Sequence, residues 1–193
     1  MHNLLSKVFP AKKDLTEKFE RLQEKVDHMG LSEGEANIEM AKILSKEVTE
    51  SMGEASPECF TVWLKHKDSE TTILVGYCSS EKDINLKKEI EEGKTARHKV
   101  LGIRRPVLIN EEKEVKDLIK EIIADENKIP ENWISAALSP VEKAGEALGL
   151  AVAFFTRKLE EEDLEGMIRL SDLLGSYIFT GEEGFPVLPQ NLS

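Results

Sequence analysis

The sequence predicts an α+β fold, and its C-terminal third carries the clearest signals. Two apolar runs, residues 133–141 and 148–157, predict neighbouring strands; the charged connector between them contains Gly145, which suits the positive φ of a tight hairpin. The second run is apolar at odd and even positions, which is typical of a central strand covered on both faces. A helix with one apolar stripe follows, formed by Leu164, Met167, Ile168, Ser171, Leu174 and Ile178.

The first 30 residues predict an N-terminal helical extension. Alternating spacings of four and three residues separate its apolar side chains, the a/d rhythm of a coiled coil: Leu15, Phe19, Leu22, Val26 and Met29. Two heptads are too short to be stable alone. The stripe therefore indicates either a helix packed on its own domain or the seam of a homodimer.

A second helix is predicted from Ser32 to about residue 52. Ser32 and Glu35 have the spacing of a capping box, and Gly53 and Pro57 end the helical pattern. The side chains that this helix is expected to bury are Met40, Ala41, Leu44 and Val48.

Residues 59–66 and 71–78 predict a hairpin around Asp68 and Ser69. If Leu64 faces Ile73 and the register continues without interruption, one side is wholly apolar, with Phe60, Val62 and Leu64 opposite Tyr77, Val75 and Ile73. We assign that side to the helices. The mixed side, with Thr61, Trp63, Leu74 and Gly76, is assigned to a pocket. The same register places Cys59 directly opposite Cys78.

The middle of the chain predicts shorter elements. Residues 83–93 predict a polar connector or a short helix, residues 95–101 a short helix closed by Gly102, and residues 105–109 a strand. Residues 112–125 predict an amphipathic helix that Pro130 prevents from continuing, and its apolar face carries Val115, Leu118, Ile119, Ile122 and Ile123.

Several of these residues occur in the order found in GAF domains, the small-molecule sensor modules of signalling proteins. The positions that carry the resemblance are Gly102, Pro106-Val107, Asn110, Ser135, Pro140-Val141, Gly145, Gly149 and Asp163-Leu164. The resemblance covers about residues 31–180 and leaves residues 181–193 as a flexible tail. It implies a GAF/PAS-like antiparallel sheet of five or six strands, with the N- and C-terminal helices on one face and a capped pocket on the other.

The resemblance also implies a sensory function, with a small-molecule ligand and signalling through protein contacts or a homodimer of terminal helices. Residues 94–105 hold six basic side chains and no acidic one, so Arg97 and His98 are candidate contacts for an anionic ligand. The simpler explanation of the same segment, and the one we favour, is a solvated surface or a patch that binds the protein's own acidic surface in an oligomer. Trp63, Trp133 and Ser135 are the other candidate pocket residues. The sequence does not identify a cofactor.

Enzymatic alternatives depend on the two cysteines. GAF-like free methionine sulfoxide reductases and bilin-binding GAF domains use cysteines in a region that corresponds to residues 82–193, where this sequence has none. Arg157-Lys158 replaces the Asn-Lys pair of cyclic-nucleotide-binding GAF domains. We therefore expect no enzyme, with a thiol redox enzyme or sensor using Cys59 and Cys78 as the alternative. A structural interaction module with a degenerate pocket is the third interpretation.

Composition restricts the partners. The net charge is −11, and residues 1–30 carry six Lys/Arg against five Asp/Glu, so the remainder is strongly acidic. Such a surface argues against binding nucleic acid or anionic membranes. The four histidines lack metal-ligand spacing, and we expect no metal site. With no apolar run of about 20 residues and no signal peptide, a cytoplasmic protein is expected.

Overall fold

The computed structural model describes residues 12–67, 71–91, 100–102, 104–190 and 192. Its helices are α1 (Lys12–Asp27), α2 (Glu33–Glu50), α3 (Glu112–Ile122) and α4 (Glu161–Tyr177). Its strands are β1 (Cys59–Lys65), β2 (Thr71–Ser79), β3 (Glu89–Glu91), β4 (Val107–Ile109), β5 (Ser135–Lys143) and β6 (Glu146–Phe155). Among the described helices, none is long and apolar enough to cross a membrane.

The six strands form one sheet in the order β3-β2-β1-β6-β5-β4, with every pair antiparallel. Alternation along the central strand β6 divides the core into two layers: Ala151, Ala153 and Phe155 pack with α1, α2 and α4, whereas Leu150, Val152 and Phe154 pack with α3. Both layers are buried, which explains why β6 is apolar at every position. The predicted α+β architecture, with the terminal helices on one face, is confirmed.

The C-terminal hairpin forms as predicted. β5 and β6 pair from Ser135 opposite Phe155 to Lys143 opposite Glu146. The turn residues Ala144 and Gly145 have φ values of 52° and 80°, the positive pair that a two-residue hairpin requires. The predicted strand starting at residue 133 begins two residues later, at Ser135.

The N-terminal hairpin differs from its predicted register. Leu64 lies opposite Ile73 as expected, but an irregularity between Val62 and Trp63 shifts the pairing, so that Phe60 faces Cys78 and Cys59 faces Ser79. The predicted pairs of Phe60 with Tyr77, of Val62 with Val75 and of Cys59 with Cys78 are therefore wrong. A one-residue bulge does not change which residue types a strand contains. The alternation of apolar and polar residues therefore does not show where the bulge lies.

The bulge also changes which side chains face the helices. The core layer that packs with α1, α2 and α4 is called the helix-side layer. It contains Phe60, Val62, Leu64 and Val75, as predicted. Gly76, which was assigned to the pocket side, instead lies opposite Val62 and against the main chain of Ala41 in α2. Tyr77 lies opposite Thr61 rather than on the helix side and is 48% exposed.

The first two helices pack on the same core. Leu15, Phe19 and Val26 of α1 are buried in the helix-side layer, whereas Leu22 is half-buried. The contacts of the isolated chain thus match the interpretation of a helix packed on its own domain. In α2 the predicted capping box is present: the main-chain N–H of Ser32 donates to the carboxylate of Glu35 at 3.0 Å.

The segment after α4 makes more contacts than its Gly- and Pro-rich sequence predicts. Buried Asn37 donates from Nδ2 to the carbonyl oxygens of Phe179 and Val187, both at 2.9 Å, and accepts from Phe179 N at 2.8 Å. An isolated bridge joins Thr180 to Pro186. One amide side chain of α2 therefore fastens the start of the tail to the domain.

Candidate functional site

The face of the sheet under α3 is the place where a pocket is expected, and apolar side chains occupy it in the described structure. β1 contributes Cys59 and Trp63, β6 contributes Phe154, and α3 contributes four aliphatic side chains, namely Val115, Leu118, Ile119 and Ile122. We call this set, with Trp133, the α3-side layer. Trp63 and Trp133 are each 0% exposed, so both tryptophans predicted for the pocket lie in this layer.

Trp133 is the candidate with an unused polar group. Its ring stacks on Phe154 with centroids 4.8 Å apart and an interplanar angle of 18°. Its indole Nε1 is buried and has no hydrogen-bond partner among the described residues. A buried donor without an acceptor costs about 1–3 kcal/mol. An acceptor on a bound molecule or a water would remove that cost.

Trp63 differs from Trp133 because its donor is used within the protein. Its Nε1 donates to the hydroxyl of Thr61 at 2.9 Å, and that hydroxyl lies 3.4 Å from the carbonyl oxygen of Val152. Thr61 is itself 0% exposed. Trp63 therefore contributes an apolar surface to the layer, on the face of the sheet to which the mixed side of the first hairpin was assigned.

Ser135 lies on the other face. It is opposite Phe155, whose ring belongs to the helix-side layer, and its hydroxyl donates to the carbonyl oxygen of Arg157. Trp133 and Ser135 would share a face if residues 133–141 formed the one continuous strand that the sequence predicts. Because Trp133 precedes β5, the i, i+2 rule does not apply to it. Ser135 thus holds the chain after β6 rather than lining the α3-side layer.

The predicted basic contacts, Arg97 and His98, lie outside the described residues. Of the same basic segment, Arg104 is described, with a φ of 52°. Its guanidinium donates to the carbonyl oxygen of Gly145 and lies 3.3 Å from the carboxylate of Glu146. Arg104 is therefore engaged with the β5–β6 turn.

The ion pair between the partly exposed Arg157 and the buried Asp163 was not predicted from the sequence. Arg157 donates through both terminal nitrogens to Asp163, at 2.7 Å and 2.9 Å, and its guanidinium carbon lies 5.2 Å from the centre of the Phe155 ring. Asp163 is 2% exposed and also accepts from the main-chain N–H of Glu160 at 2.9 Å. The signal available in the sequence was an aspartate in the first turn of a helix, six residues after an arginine.

The two cysteines lie on opposite faces of the sheet. Cys59 belongs to the α3-side layer, whereas Cys78 faces α2, with its Sγ 4.0 Å from a carboxylate oxygen of Glu50. Burial raises the pKa of Cys59 to about 12. Burial, together with the negative charge of Glu50, also raises the pKa of Cys78. Neither thiol is therefore activated as a nucleophile at neutral pH.

Within the described ranges, no group of three or more His, Cys, Asp or Glu side chains is placed to hold a metal ion. The polar chemistry of the α3-side layer therefore rests on the indole of Trp133, the hydroxyl of Thr61 and the thiol of Cys59.

Comparison with known proteins gives structural matches only. No protein-family model matches the sequence, and a comparison with curated proteins finds no match. Among solved structures, the GAF domain of a phosphoenolpyruvate-protein phosphotransferase from Coxiella burnetii superposes with a TM-score of 0.62 at 12% identity, covering 84% of this chain and 91% of that one. The corresponding GAF domain from Acinetobacter has a TM-score of 0.61 at 10% identity, covering 86% and 93%.

An enzyme also has this architecture. The free methionine-R-sulfoxide reductase of Neisseria meningitidis, solved in complex with its substrate, has a TM-score of 0.60 at 14% identity, covering 92% of this chain and 95% of that one. At such identities the likeness establishes the fold and leaves the chemistry to the residues of each site. With its six-stranded antiparallel sheet and flanking helices, this chain has the GAF fold.

Proposed function

We propose that this chain is a sensory or regulatory module that binds a small molecule beside Trp133 in the α3-side layer. The observation that carries the proposal is the buried indole N–H of Trp133, which finds no acceptor among the described residues. The stacked pair of Trp133 and Phe154 supplies a flat apolar wall. The predicted ligand is therefore a compact molecule with an apolar face and an acceptor oxygen. The basic segment 94–105 supports an anionic acceptor such as a carboxylate or phosphate.

Intrinsic fluorescence tests this proposal directly, because the sequence contains only two tryptophans and both lie in the layer. Native mass spectrometry of the purified protein would first identify any retained molecule. Titration of that molecule, or of phosphorylated and dicarboxylate metabolites, should then quench or shift the emission. The variant Trp133→Phe keeps an aromatic wall without the donor, so we expect about tenfold weaker binding. Lys113→Ala, on the exposed side of α3, is the matched control.

If the ligand is anionic, a basic side chain of the protein should contribute to its binding. Arg97→Ala should weaken binding of the anionic molecule, whereas it should not change the binding of an uncharged analogue. Unchanged emission and unchanged thermal stability with every molecule at millimolar concentration would contradict the sensor proposal. The remaining interpretation would then be an interaction module with a degenerate pocket.

The raised pKa values of the two thiols support a non-catalytic role for the protein. Signalling through protein contacts is therefore part of this proposal. A homodimer through the terminal helices is one route. Leu15, Phe19 and Val26 are buried within the chain, so among the described residues of this region the exposed large apolar side chains are Met29 and Leu31, 41% and 38% exposed. Light scattering with and without ligand tests this route. A monomer in both states would contradict it and favour a separate signalling protein.

The thiol enzyme is retained as the alternative because the fold is shared with the Neisseria reductase. It requires at least one of Cys59 and Cys78 to react rapidly near neutral pH. Turnover of a sulfoxide substrate that is lost in Cys78→Ser would favour the enzyme over the sensor.

A further inference from the structure

The outer edge of β2 is only partly covered in the described structure. β3 pairs with β2 at Thr71, Thr72 and Ile73, and the N–H of Leu74 donates to the carbonyl oxygen of Lys88 at 2.8 Å. β2 then continues to Ser79 with β1 on one side and no described strand on the other. Among the described residues, the last half of this strand is therefore an open edge.

The main-chain groups that face this open side can be assigned by alternation. Ser80 N donates to the carbonyl oxygen of Glu58 at 2.8 Å, on the side of β1. Because successive residues of a strand present their N–H and C=O groups to opposite neighbours, Cys78 also faces β1, whereas Tyr77 and Ser79 face outward. Among the described residues, the main-chain groups of Tyr77 and Ser79 have no hydrogen-bond partner beyond the strand. Such groups can pair with another chain.

A groove of about 790 Å³ runs along this edge. Its lysines come from two directions, Lys42 and Lys46 from α2 and Lys82 and Lys88 from the connection between β2 and β3. All four are exposed, and Glu81 is the acidic side chain among the groove residues described. Lys46 lies 4.0 Å from the carboxylate of Glu50, so Lys42, Lys82 and Lys88 give the groove its excess of positive charge in a protein with a net charge of −11.

The apolar part of the groove lies on the opposite face of the sheet from α2. Tyr77, 48% exposed, is opposite Thr61 on that face, and Leu74 and Ile84 pack at the margin of the α3-side layer. The two faces therefore differ in chemistry: lysines from α2 on one, and an exposed tyrosine with aliphatic neighbours on the other.

We propose that the free edge of β2 binds an extended segment of a partner protein in which acidic and apolar residues alternate. The segment adds a strand through the main-chain groups of Tyr77 and Ser79. Since alternate side chains of a strand point to opposite faces, its acidic residues meet Lys42 and Lys46 while its apolar residues pack on Tyr77 and Ile84. This surface is distinct from the ligand site and gives the module a place to contact its partner.

A second copy of this chain is a poorer occupant of the same edge. Pairing of two β2 edges would bring the lysines of one copy against those of the other, and like charges opposed across strands are destabilising. Lysines beside an open edge also protect proteins from self-association. If the lysines only protect the edge from self-association, no peptide should bind to it. If the edge is a docking site, an acidic and apolar peptide should bind.

The test uses the full chain and a fluorescein-labelled ten-residue peptide of alternating glutamate and valine. We expect saturable binding in fluorescence anisotropy, at least tenfold tighter than for the peptide of alternating lysine and valine. The double variant Lys42→Glu/Lys46→Glu should bind at least tenfold more weakly. The control Lys25→Glu/Lys113→Glu changes exposed lysines elsewhere by the same charge and should stay within twofold of the unmodified protein.

Main-chain pairing has its own readout. Bound peptide should slow hydrogen exchange of the Tyr77 and Ser79 amides at least tenfold, and a peptide N-methylated at alternate residues should lose binding. No binding at millimolar peptide, or binding that N-methylation leaves unchanged, would overturn the proposal. Self-association of Lys42→Glu/Lys46→Glu without peptide binding to the original protein would also overturn it, since the lysines would then only protect the edge. No small-molecule ligand is used, so the result is independent of the site beside Trp133.

Discussion

At the scale of single residues, Asp163 joins the end of β6 to the start of α4. It receives two hydrogen bonds from Arg157 and one from the main chain of Glu160. Replacement by asparagine keeps the shape of the side chain and removes its charge, leaving the guanidinium without its counterion. Hydrogen bonds to charged groups contribute roughly 1.5–3 kcal/mol, and Arg157 is partly exposed, so we expect Asp163→Asn to lower the free energy of unfolding by about 2 kcal/mol.

Urea denaturation measures this loss as a lower midpoint with an unchanged slope. Asp172, exposed on the same helix, provides the control: Asp172→Asn should change the free energy of unfolding by less than about 0.5 kcal/mol. Equal effects of the two substitutions would show that the ion pair with Arg157 does not stabilise α4.

The two cysteines give a second prediction at this scale. The thiolate is the reactive form, so raising the pKa of Cys59 from 9.0 to about 12 lowers its reactivity near neutral pH by roughly a thousandfold. We expect iodoacetamide to leave Cys59 unmodified in the folded protein and to modify it rapidly in urea, as measured by peptide mass spectrometry. Cys78→Ser isolates Cys59 for this comparison.

Mild oxidation should not join the two cysteines, because the sheet separates their side chains. A loss of two hydrogens in the intact mass under non-reducing conditions would contradict this placement and favour the thiol alternative.

At the scale of secondary-structure elements, the β5–β6 turn contains one residue whose backbone conformation lowers stability and which can be replaced. Ala144 has a φ of 52°, a conformation that asparagine tolerates better than alanine, and Asn-Gly is the preferred pair for such turns. We expect Ala144→Asn to raise the free energy of unfolding by about 0.5–1 kcal/mol. Gly145→Ala should act in the opposite direction, since φ is 80° there. Thermal melts of both variants test the turn, and a change of the same sign in both would contradict it.

The contact of α4 with β5 is close at Gly175. A Cβ added there would overlap the carbonyl oxygen of Glu142, which belongs to the main chain and has little freedom to move. Alanine normally favours a helix by about 0.8–1 kcal/mol over glycine. We expect the overlap to outweigh this preference, so that Gly175→Ala lowers the free energy of unfolding by about 1–3 kcal/mol.

Gly102 is the matched glycine, because it lies in a helical turn and a Cβ there meets no atom of the described residues within 4 Å. Gly102→Ala should therefore be neutral or slightly stabilising in the same chemical denaturation experiment. A neutral result for Gly175→Ala would mean that α4 moves away from β5 without cost.

At the scale of the whole molecule, α1 is docked on α4, and Tyr177 makes this contact sensitive to pH. Its ring meets Phe19 edge-on at 6.5 Å, and its hydroxyl donates to Asp27 at 3.3 Å. Burial, and then the negative charge of Asp27, raise the pKa of Tyr177 to about 12. The folded state thus holds the proton more tightly than the unfolded state, whose value is near 10.0.

Stability from Tyr177 is therefore fully present below about pH 10 and is lost as the pH rises towards 12. We expect Tyr177→Phe to be less stable than the unmodified protein near neutral pH, and this difference should shrink across that range. Urea unfolding at several alkaline pH values measures it. Tyr77→Phe, at the exposed edge of β2, should follow the profile of the unmodified protein, and a constant deficit for Tyr177→Phe would contradict the assignment.

Much of the architecture follows from short-range patterns. The apolar faces of α2 and α3, the capping box at Ser32 and the turn at Gly145 each depend on residues close together in the sequence, and each is found where the pattern predicts it. The buried face of α4 is rotated from the predicted stripe: Leu170 is buried, whereas Leu164 and Ile168 are half-buried.

The candidate site could be predicted from the sequence only in part. Trp63 and Trp133 lie on the expected face of the sheet, whereas Ser135 lies on the other face. Arg97 and His98 stay predictions.

The order and kind of the elements follow from the sequence alone, because hydrophobic periodicity and turn chemistry are local. Three features became known only from the folded chain: the bulge in the first hairpin, which separates Cys59 from Cys78, the hydrogen bonds of Asn37 to the tail, and the open edge of β2 in the described structure. Each of these depends on hydrogen bonds to main-chain groups of segments that are distant in sequence. The pattern of side chains along the chain does not show which of those groups are paired.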